Sequence, residues 1–293
     1  MSAQQQLTVL NLYPRQMNIY GDAGNLLVVQ RRLEWRGITP RLVRFNPGDE
    51  VALLADADII LGGGGQDSGQ NLVQSDLLRI APALKERVEE GVPTLAVCGT
   101  YQLFGNYFKT YEGEVLEGIG IFNLHTLGGT ERLIGNIVLE STEFGELIGY
   151  ENHSGKTWLG EGLEPLAQVV SGAGNNGSDG TEGARSHNAL GTYLHGPFLP
   201  KNPRVADFLI ATAFKRRYGE DAELPPLAAR RVEDSCGESS NGSFSDGTGS
   251  GGAEGQSPEG LKAKQESGER YEEQDDVARY GEQARLVARG RPR

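Results

Sequence analysis

The stretch TLAVCGTYQLFG, Thr94 to Gly105, reads as a short apolar strand that ends at Cys98 and Gly99 and continues into a helix. The stretch DIILGGGG, Asp58 to Gly65, also begins as an apolar strand and opens into four glycines. Strands this short and this apolar are typical of a parallel sheet that helices cover on both faces. The two stretches therefore predict an α/β fold.

The flanking sequence adds further strands and helices to this fold. The other candidate strands are Leu7–Tyr13, Arg41–Phe45, Leu133–Glu140, Ala167–Val170 and Leu190–Leu194. The candidate helices are Ala23–Trp35, Asn71–Glu90 and Val205–Arg217, and Gly91 and Pro93 provide an end for the second of them. We therefore expect a mostly parallel sheet flanked by helices, with more β-structure in the second half of the domain.

The C-terminal part of the chain has a different composition. From Glu233 to Gly260, Gly and Ser fill 15 of 28 positions, and Phe244 is the only large apolar residue. Such a segment cannot bury enough apolar surface to offset the entropy lost on ordering. Residues 261–293 are rich in charge and have no continuous apolar stripe. We predict one domain over residues 1–220 and a largely disordered tail over residues 221–293.

Composition argues against several classes of function. The 293 residues carry a formal net charge of -12, which disfavours nucleic acid as the main ligand. No run approaches 18 consecutive apolar residues, and the N-terminal sequence has no basic region followed by an apolar one, so we expect neither a membrane span nor a secretory signal. Two cysteines, Cys98 and Cys236, cannot make a disulfide framework and fit a reducing compartment. The expectation is a soluble, cytoplasmic protein.

Cys98 is the leading candidate for a catalytic residue. Ligands of open α/β sheets bind beyond the carboxyl ends of the strands, and Cys98 follows directly after such an end. A helix that begins just after it favours the thiolate, and the Gly99 N–H would face a developing oxyanion, as in a nucleophile elbow. This interpretation predicts an exposed, reactive thiol. The alternative is a small buried apolar residue, as free cysteines often are.

Cys98 needs a base, because a free thiol ionises only at about pH 8.5. The chain offers four histidines: His125, His153, His187 and His195. His195, in GTYLHGPF, follows a candidate strand and precedes a glycine, so it can lie at the same sheet edge as Cys98. His187 lies in a polar, glycine-rich stretch, residues 171–188, that reads as a mobile loop, and His125 and His153 lie in ambiguous segments. His195 is the best candidate base, and a structural histidine is the alternative.

The glycine-rich loop after the DIIL strand is a candidate anion site. It has no following Lys-Ser/Thr pair, so it does not indicate a phosphate-binding loop for nucleotides. Successive backbone N–H groups in such a loop can still hold an anion, so we expect Gly63, Gly64 and Gly65 to provide a second oxyanion donor. A plain tight turn is the alternative. No Cys and His spacing resembles a zinc site, so no metal is expected.

Several motifs resemble one enzyme family. CGTYQ, from Cys98 to Gln102, and YLHG, from Tyr193 to Gly196, are similar to the nucleophile and base motifs of class I, triad-type glutamine amidotransferases of the cobyric acid synthase branch. GYENHSGKT, residues 149–157, resembles a Tyr-Glu-x-His-x-Gly element of that branch, which we interpret as a loop at the site edge. Within the branch, NIYGDAGN (residues 18–25), GGGGQDSGQ (62–70), ERLIGN (131–136) and ENHSGKT resemble the glutaminase subunits of lipid II isoglutaminyl synthases. The resemblance spans about residues 7–217 and implies a flavodoxin-like sheet.

The resemblance also implies roles for individual residues. Cys98 is the nucleophile, His195 the general base, and Arg132 the residue that holds the substrate L-glutamine, a role that suits a bidentate guanidinium. Without the resemblance, Arg132 reads as a surface arginine. Many triad amidotransferases place a glutamate two residues after the catalytic histidine, but this chain has Pro197 there. Either the Cys–His pair suffices, or a carboxylate comes from elsewhere, including a partner subunit.

The implied reaction is hydrolysis of glutamine to glutamate and ammonia through a cysteine thioester. The ammonia would pass to a Mur-ligase-like synthetase subunit (MurT), which would bind ATP and Mg²⁺ and amidate the α-carboxyl of D-glutamate in the lipid II stem peptide. No cofactor is expected on the present chain. Two alternatives stay open: an amidotransferase for a corrin or another cofactor, and a non-catalytic binding subunit.

Overall fold

The computed structural model describes residues 4–19, 21–65 and 67–228. The predicted domain, residues 1–220, lies almost wholly within these ranges. The start of the predicted tail, residues 221–228, is ordered against the domain, which corrects the predicted boundary: Ala222 and Leu224 pack on the core, and the Ala228 N–H donates to the carbonyl oxygen of Trp35 at 2.8 Å. Residues 229–293 lie outside the described residues, so their disorder stays a prediction.

Strands and helices alternate in the first half of the described chain, and strands dominate the second half. The strands are β1 (Gln6–Leu12), β2 (Thr39–Phe45), β3 (Ile59–Gly62), β4 (Thr94–Val97), β5 (Tyr107–Lys109), β6 (Val115–Glu117), β7 (Leu124–Ser141), β8 (Gly145–Leu159), β9 (Ala167–Ser171), β10 (Thr181–Glu182), β11 (Ala184–Ser186) and β12 (Ala189–Thr192). The α-helices are α1 (Ala23–Glu34), α2 (Asp67–Glu89), α3 (Gly99–Leu103), α4 (Phe198–Lys201) and α5 (Pro203–Tyr218), and a 3₁₀ turn covers Val51–Leu54.

The first sheet has the strand order β11-β12-β4-β3-β1-β2. All neighbours in it are parallel except β11, which is antiparallel to β12. Every residue of β3, β4 and β12 is buried, which explains why these strands read as continuous apolar or small-residue runs. The predicted mostly parallel α/β sheet is confirmed. Its consequence is that the carboxyl ends of β3, β4 and β12 meet at one edge.

The second sheet is built around the long antiparallel ribbon of β7 and β8. Its order is β10-β9-β7-β5-β6, with β8 also paired to β7. The predicted strands Leu133–Glu140 and Ala167–Val170 are parts of β7 and β9. Strand β8 was not predicted. In β8 buried and less buried residues alternate over most of the strand, and the buried face itself carries the polar residues Glu151, His153 and Thr157.

Helices cover the first sheet with apolar side chains. Val29 and Leu33 of α1 and Leu209 and Ile210 of α5 are fully buried. Burial of each such side chain contributes roughly 1.5–3 kcal/mol relative to exposure. After α2, Gly91 has φ 82°, the left-handed conformation expected where a glycine ends a helix. No helix among the described residues has the length and apolar character needed to span a membrane.

Candidate active site

The carboxyl ends of three neighbouring strands form the candidate site. β3 opens into Gly63–Gly65, β4 ends directly before Cys98, and β12 ends three residues before His195. β4 lies between the other two strands. The Cys98 N–H donates to the carbonyl oxygen of Thr192, the last residue of β12, at 2.8 Å. The sheet therefore brings together the glycine loop, the candidate nucleophile and the segment that carries the candidate base.

Cys98 lies in a strained turn between β4 and α3. Its φ of 49° and ψ of -105° place it in a region that residues with a side chain rarely adopt. Such conformations cost on the order of 1–3 kcal/mol and occur preferentially at functional sites. The turn has the strand-to-helix form predicted from TLAVCGTYQ.

The predicted exposure of the Cys98 thiol is wrong for this structure. Cys98 is only 7% exposed, because the glycine loop and His195 pack against it. A Cβ atom built on Gly64 would lie 2.9 Å from Cε1 of His195 and 3.3 Å from Cβ of Cys98. The two side chains thus meet across Gly64, and only a residue without a side chain fits between them.

His195 is fully buried, and a backbone hydrogen bond to β8 fixes its position. Its N–H donates to the carbonyl oxygen of Tyr150 in β8 at 2.8 Å. Burial lowers the pKa of His195 to about 3, with further lowering from the nearby His153 and Lys201. The imidazole is therefore neutral near pH 7 and able to accept a proton.

Two of the other three histidines, His125 and His187, lie away from the candidate site. His125 stacks between Tyr107 and Trp158 on the second sheet, with ring centroids 5.3 and 5.7 Å away. His187 is exposed in the turn before β12, at the opposite end of that strand from His195. Neither lies at the edge that carries Cys98.

His153 is a strand residue and not part of an edge loop, which corrects the interpretation of GYENHSGKT. Its ring stacks on Tyr193 with centroids 3.7 Å apart, and Nδ1 lies 2.7 Å from the carbonyl oxygen of Gly155. Burial lowers the pKa of His153 to about 4. The stacked ring supports the segment that leads to His195, and the choice of His195 over His153 as the candidate base fits this geometry.

Glu182 also stabilises the segment that leads to His195, and it was not predicted from the sequence. The carboxylate is fully buried and accepts hydrogen bonds from the Tyr193 N–H at 2.6 Å and from Oγ1 of Thr192 at 3.1 Å. Burial raises the pKa of Glu182 to about 8, and these hydrogen bonds oppose the rise. The carboxylate fixes the backbone just before His195.

The glycine-rich stretch around Glu182 is not the loop that its composition predicts. Residues 171–188 contain β10 and β11, and Asn175 and Glu182 are fully buried. Oδ1 of Asn175 accepts a hydrogen bond from the hydroxyl group of Tyr101 at 3.1 Å. A lone glutamate among Gly, Ser and Asp residues gives no local signal of burial, because its hydrogen-bond partners come from other strands.

The glycine loop offers fewer oxyanion donors than predicted. The Gly64 N–H donates to Oδ2 of Asp22 at 2.9 Å, so the prediction of an oxyanion donor at Gly64 is corrected. A Cβ built on Gly63 would meet the carbonyl oxygen of Met17 at 2.2 Å and Cβ of Asp22 at 2.8 Å, so Gly63 packs against the connection that precedes α1. Gly65 lies against Gly99, with its nitrogen 3.0 Å from the place where a Gly99 Cβ would be. The role of Gly63 stays a prediction, and Gly65 and Gly99 are the two candidates that lie side by side after β3 and β4.

Arg132 lies at an irregular point of the β7–β8 ribbon. The pairing register shifts between Gly128 and Leu133, and the exposed guanidinium donates to Oδ1 of Asn152 at 2.6 Å through Nη2 and at 3.2 Å through Nε. The positive charge of Arg132 contributes to the lowered pKa of His153, so the guanidinium lies within electrostatic range of that ring. The structure therefore holds Arg132 on Asn152, the residue before His153 in β8, and its substrate role stays a prediction.

The position that carries a glutamate in related triads holds Pro197, which packs against the helix α1 region. A Cβ built on Gly24 would lie 2.4 Å from Cγ of Pro197. Within the described ranges, no group of three or more His, Cys, Asp or Glu side chains could hold a metal ion. A thiol and a neutral imidazole buried beside a glycine loop are suited to nucleophilic attack on an acyl carbon.

A crystal structure of a glutamine amidotransferase shares this architecture. It superposes with a TM-score of 0.51 and 19% sequence identity, and the match covers 70% of this chain and 98% of that one. The likeness shows that the chain has a glutamine amidotransferase fold.

Sequence relatives define the family within that fold. Residues 8–203 match the CobB/CobQ-like glutamine amidotransferase domain. The chain is 40% identical over 212 residues to the glutamine-hydrolysing subunit GatD of the lipid II isoglutaminyl synthase of Staphylococcus aureus (strain N315), a match that covers 72% of this chain and 86% of that subunit. It is 39% identical over 229 residues to GatD of Streptococcus pneumoniae (strain ATCC BAA-255 / R6), covering 75% and 85% of the two chains. A cobyric acid synthase of Pelotomaculum thermopropionicum is 29% identical over 189 residues, 54% of this chain and 36% of the synthase. The chain belongs to the family of CobB/CobQ-like glutamine amidotransferases.

Proposed function

We propose that this chain is the glutamine-hydrolysing subunit of a lipid II isoglutaminyl synthase and works in the cytoplasm. The observation that carries the proposal is the meeting of Cys98 and His195 across Gly64, in a chain whose relatives include the GatD subunits. The match to those subunits covers most of their length, whereas the match to the cobyric acid synthase covers 36% of it. Length and identity therefore favour a lipid II acceptor over a corrin.

In the first half-reaction, His195 takes the proton of the Cys98 thiol, and the thiolate attacks the side-chain amide carbon of glutamine. The N–H groups of Gly99 and Gly65 are the proposed donors to the oxyanion, each worth roughly 3 kcal/mol in the transition state. The C–N bond breaks as the His195 imidazolium gives its proton to the leaving nitrogen. Ammonia leaves, and a γ-glutamyl thioester stays on Cys98.

In the second half-reaction, His195 removes a proton from water, and the resulting hydroxide attacks the thioester carbon. The C–S bond breaks, the thiolate recovers a proton, and glutamate leaves. The burial that makes His195 neutral also excludes bulk water from the pair, which strengthens the hydrogen bonds to the oxyanion.

The ammonia needs an acceptor that this chain does not provide. A Mur-ligase-like partner that binds ATP and Mg²⁺ would activate the α-carboxyl of D-glutamate in the lipid II stem peptide as an acyl phosphate. Ammonia would then displace the phosphate and form D-isoglutamine. The proposal therefore includes a heteromeric complex in which the present chain supplies ammonia.

The test is amidation of lipid II by this chain together with the Mur-ligase-like subunit of the same organism. With ATP and glutamine, we expect one new amide per stem peptide and one glutamate released for each amide. With ammonium chloride in place of glutamine, the partner alone should form the same product. Glutamate release without any amide on lipid II would contradict the acceptor, and the absence of glutamate release from the folded complex would contradict the glutaminase.

Arg132 is proposed to bind the α-carboxylate of the substrate glutamine, since Asn152, next to His153 in β8, already orients its guanidinium. We expect Arg132→Gln to raise the KM for glutamine about 10- to 100-fold with little change in kcat, because a charge-assisted contact is worth about 1.5–3 kcal/mol. Steady-state glutamate release measures both constants. Arg41→Gln is the matched control, since Arg41 is an exposed, ion-paired arginine on β2. An unchanged KM in Arg132→Gln would make Arg132 a surface residue only.

A further inference from the structure

The segment NIYGDAGN, residues 18–25, comprises the end of the connection from β1 to α1 and the first residues of α1. It borders the candidate site, yet the proposed reaction gives it no role. Its described residues are tied together locally, with the Ala23 N–H donating to Oδ1 of Asn18 at 2.8 Å. Asp22 in this segment is only 7% exposed. A buried carboxylate is costly unless other groups compensate it, so its contacts indicate what it does.

Asp22 binds the glycine loop at the residue that separates Cys98 from His195. Oδ2 of Asp22 accepts the Gly64 N–H at 2.9 Å. A Cβ built on Gly63 would lie 2.8 Å from Cβ and 3.2 Å from Cγ of Asp22, so the side chain also packs against the preceding glycine. The carboxylate thus fixes the glycine loop at Gly64, beside Cys98 and His195.

The same carboxylate lies close to the imidazole. A Cβ built on Gly64 would be 3.3 Å from Oδ2 of Asp22 and 2.9 Å from Cε1 of His195, so the two groups flank one glycine. An opposite charge at such short range in a buried site favours the charged form of a histidine. Pro197, which replaces the glutamate of related triads, provides no such charge.

The 18–25 segment also holds the chain that follows His195. Oδ1 of Asn25 accepts the Leu199 N–H at 2.8 Å. Gly24 packs against Pro197 so closely that a Cβ would lie 2.4 Å from its ring. One segment therefore contacts both the glycine loop and the continuation of the base, and Asp22 is its charged member.

We propose that Asp22 is a positioning residue for glutamine hydrolysis: its carboxylate holds Gly64 between the nucleophile and the base, and its charge stabilises the His195 imidazolium. The inference rests on the proposed function and goes beyond it by assigning a carboxylate to the Cys–His pair within this chain. Among the described residues, Asp22 from the 18–25 segment and Cys98 after β4 lie with His195 around Gly64, and His153 from β8 and Lys201 from α4 are the other charged or titratable groups close to it. Asp22 is the carboxylate in this set.

The test compares Asp22→Asn with Asp22→Ala in glutamate release by the complex. Asparagine keeps an oxygen that can accept the Gly64 N–H but loses the charge, so we expect kcat to fall about tenfold with KM within about twofold. Its pH profile should move to lower pH, because the imidazolium loses a stabilising charge. Alanine loses both the acceptor for the Gly64 N–H and the charge, so kcat should fall about 100-fold.

Asp58→Asn is the matched control. Asp58 is also a buried aspartate that accepts a backbone N–H, that of Thr8 at 2.7 Å, but it lies just before β3, at the opposite edge of the sheet. We expect its kcat and pH profile to equal those of the wild type. An equal loss in Asp58→Asn, or a wild-type pH profile and kcat in Asp22→Asn, would overturn the proposal.

A second measurement separates this proposal from the proposed function. In a Cys236→Ser background, the rate of Cys98 alkylation by iodoacetamide as a function of pH reports the Cys98–His195 pair without glutamine. Asp22→Asn should shift this profile to lower pH even in a preparation that releases no glutamate. An unshifted alkylation profile overturns the role of Asp22, whereas failure of the wild type to release glutamate overturns only the proposed function.

Discussion

Replacing Cys98 by serine is expected to lower glutamate release by the complex about 10⁴-fold or more. A hydroxyl is a far weaker acid than a thiol, so the same imidazole forms far less of the attacking anion from serine than from cysteine. The loss should lie in kcat, since the serine leaves the glycine loop and Arg132 in place. Serine occupies the same positive-φ turn as cysteine, so the thermal unfolding midpoint should change little.

Two controls make this result specific. Cys236→Ser removes the other cysteine and should retain wild-type glutamate release. Ammonium chloride should restore amidation of lipid II by the complex that contains Cys98→Ser, because only the ammonia supply is lost. Substantial glutaminase activity in Cys98→Ser would show that Cys98 is a buried structural residue, the alternative that the sequence leaves open.

Replacing His195 by alanine is expected to lower kcat about 10²- to 10⁴-fold at pH 7, the range in which a general base contributes. The deficit should shrink at higher pH. A free thiol ionises at about pH 8.5, so hydroxide replaces the base in forming the thiolate, and the residual rate should rise roughly tenfold from pH 7 to 8.5. Full recovery is not expected, because the leaving nitrogen still lacks its proton donor. Glutamate release across this pH range, at saturating glutamine, measures the effect.

His125→Ala and His187→Ala are the controls for this variant, since the structure places both residues away from Cys98. His125 is part of an aromatic stack on the second sheet, and His187 lies in an exposed turn at the far end of β12. Their glutaminase activity should match the wild type at every pH. A pH-independent loss in His195→Ala would contradict a role in proton transfer and indicate packing alone.

The local pattern of the sequence is enough to predict the first sheet. β3 and β4 are short, fully buried and followed by glycine, so their strand character and their ends are visible in the residues themselves. The ribbon of β7 and β8 is harder to predict, because half of the β8 side chains face outward and include Glu, Asn, Ser and Lys. The burial of that strand depends on pairing with β7, which a local pattern does not report.

Some residues of the candidate site can likewise be predicted from local sequence, and others cannot. Cys98 and His195 each follow a strand and precede a glycine, so each can be recognised alone. Asp22 and Glu182 lie in polar, glycine-containing stretches and resemble solvent-exposed acids. Their roles arise from backbone N–H groups that distant segments present to them, those of Gly64 and Tyr193.

The strand ends, and the thiol and imidazole that follow two of them, can be read from the residues, because apolar runs and glycines fix local conformation. Which of these groups lie together depends on the packing of the whole domain. The order β3-β4-β12 places the glycine loop, Cys98 and His195 at adjacent strand ends, and close packing across Gly64 buries the pair. Because of this packing, the Cys98 thiol is buried and not exposed as expected. The Gly64 N–H donates to Asp22 and is not an oxyanion donor. Burial and hydrogen-bond partners are properties of the whole fold, since they depend on segments that are far apart in the chain.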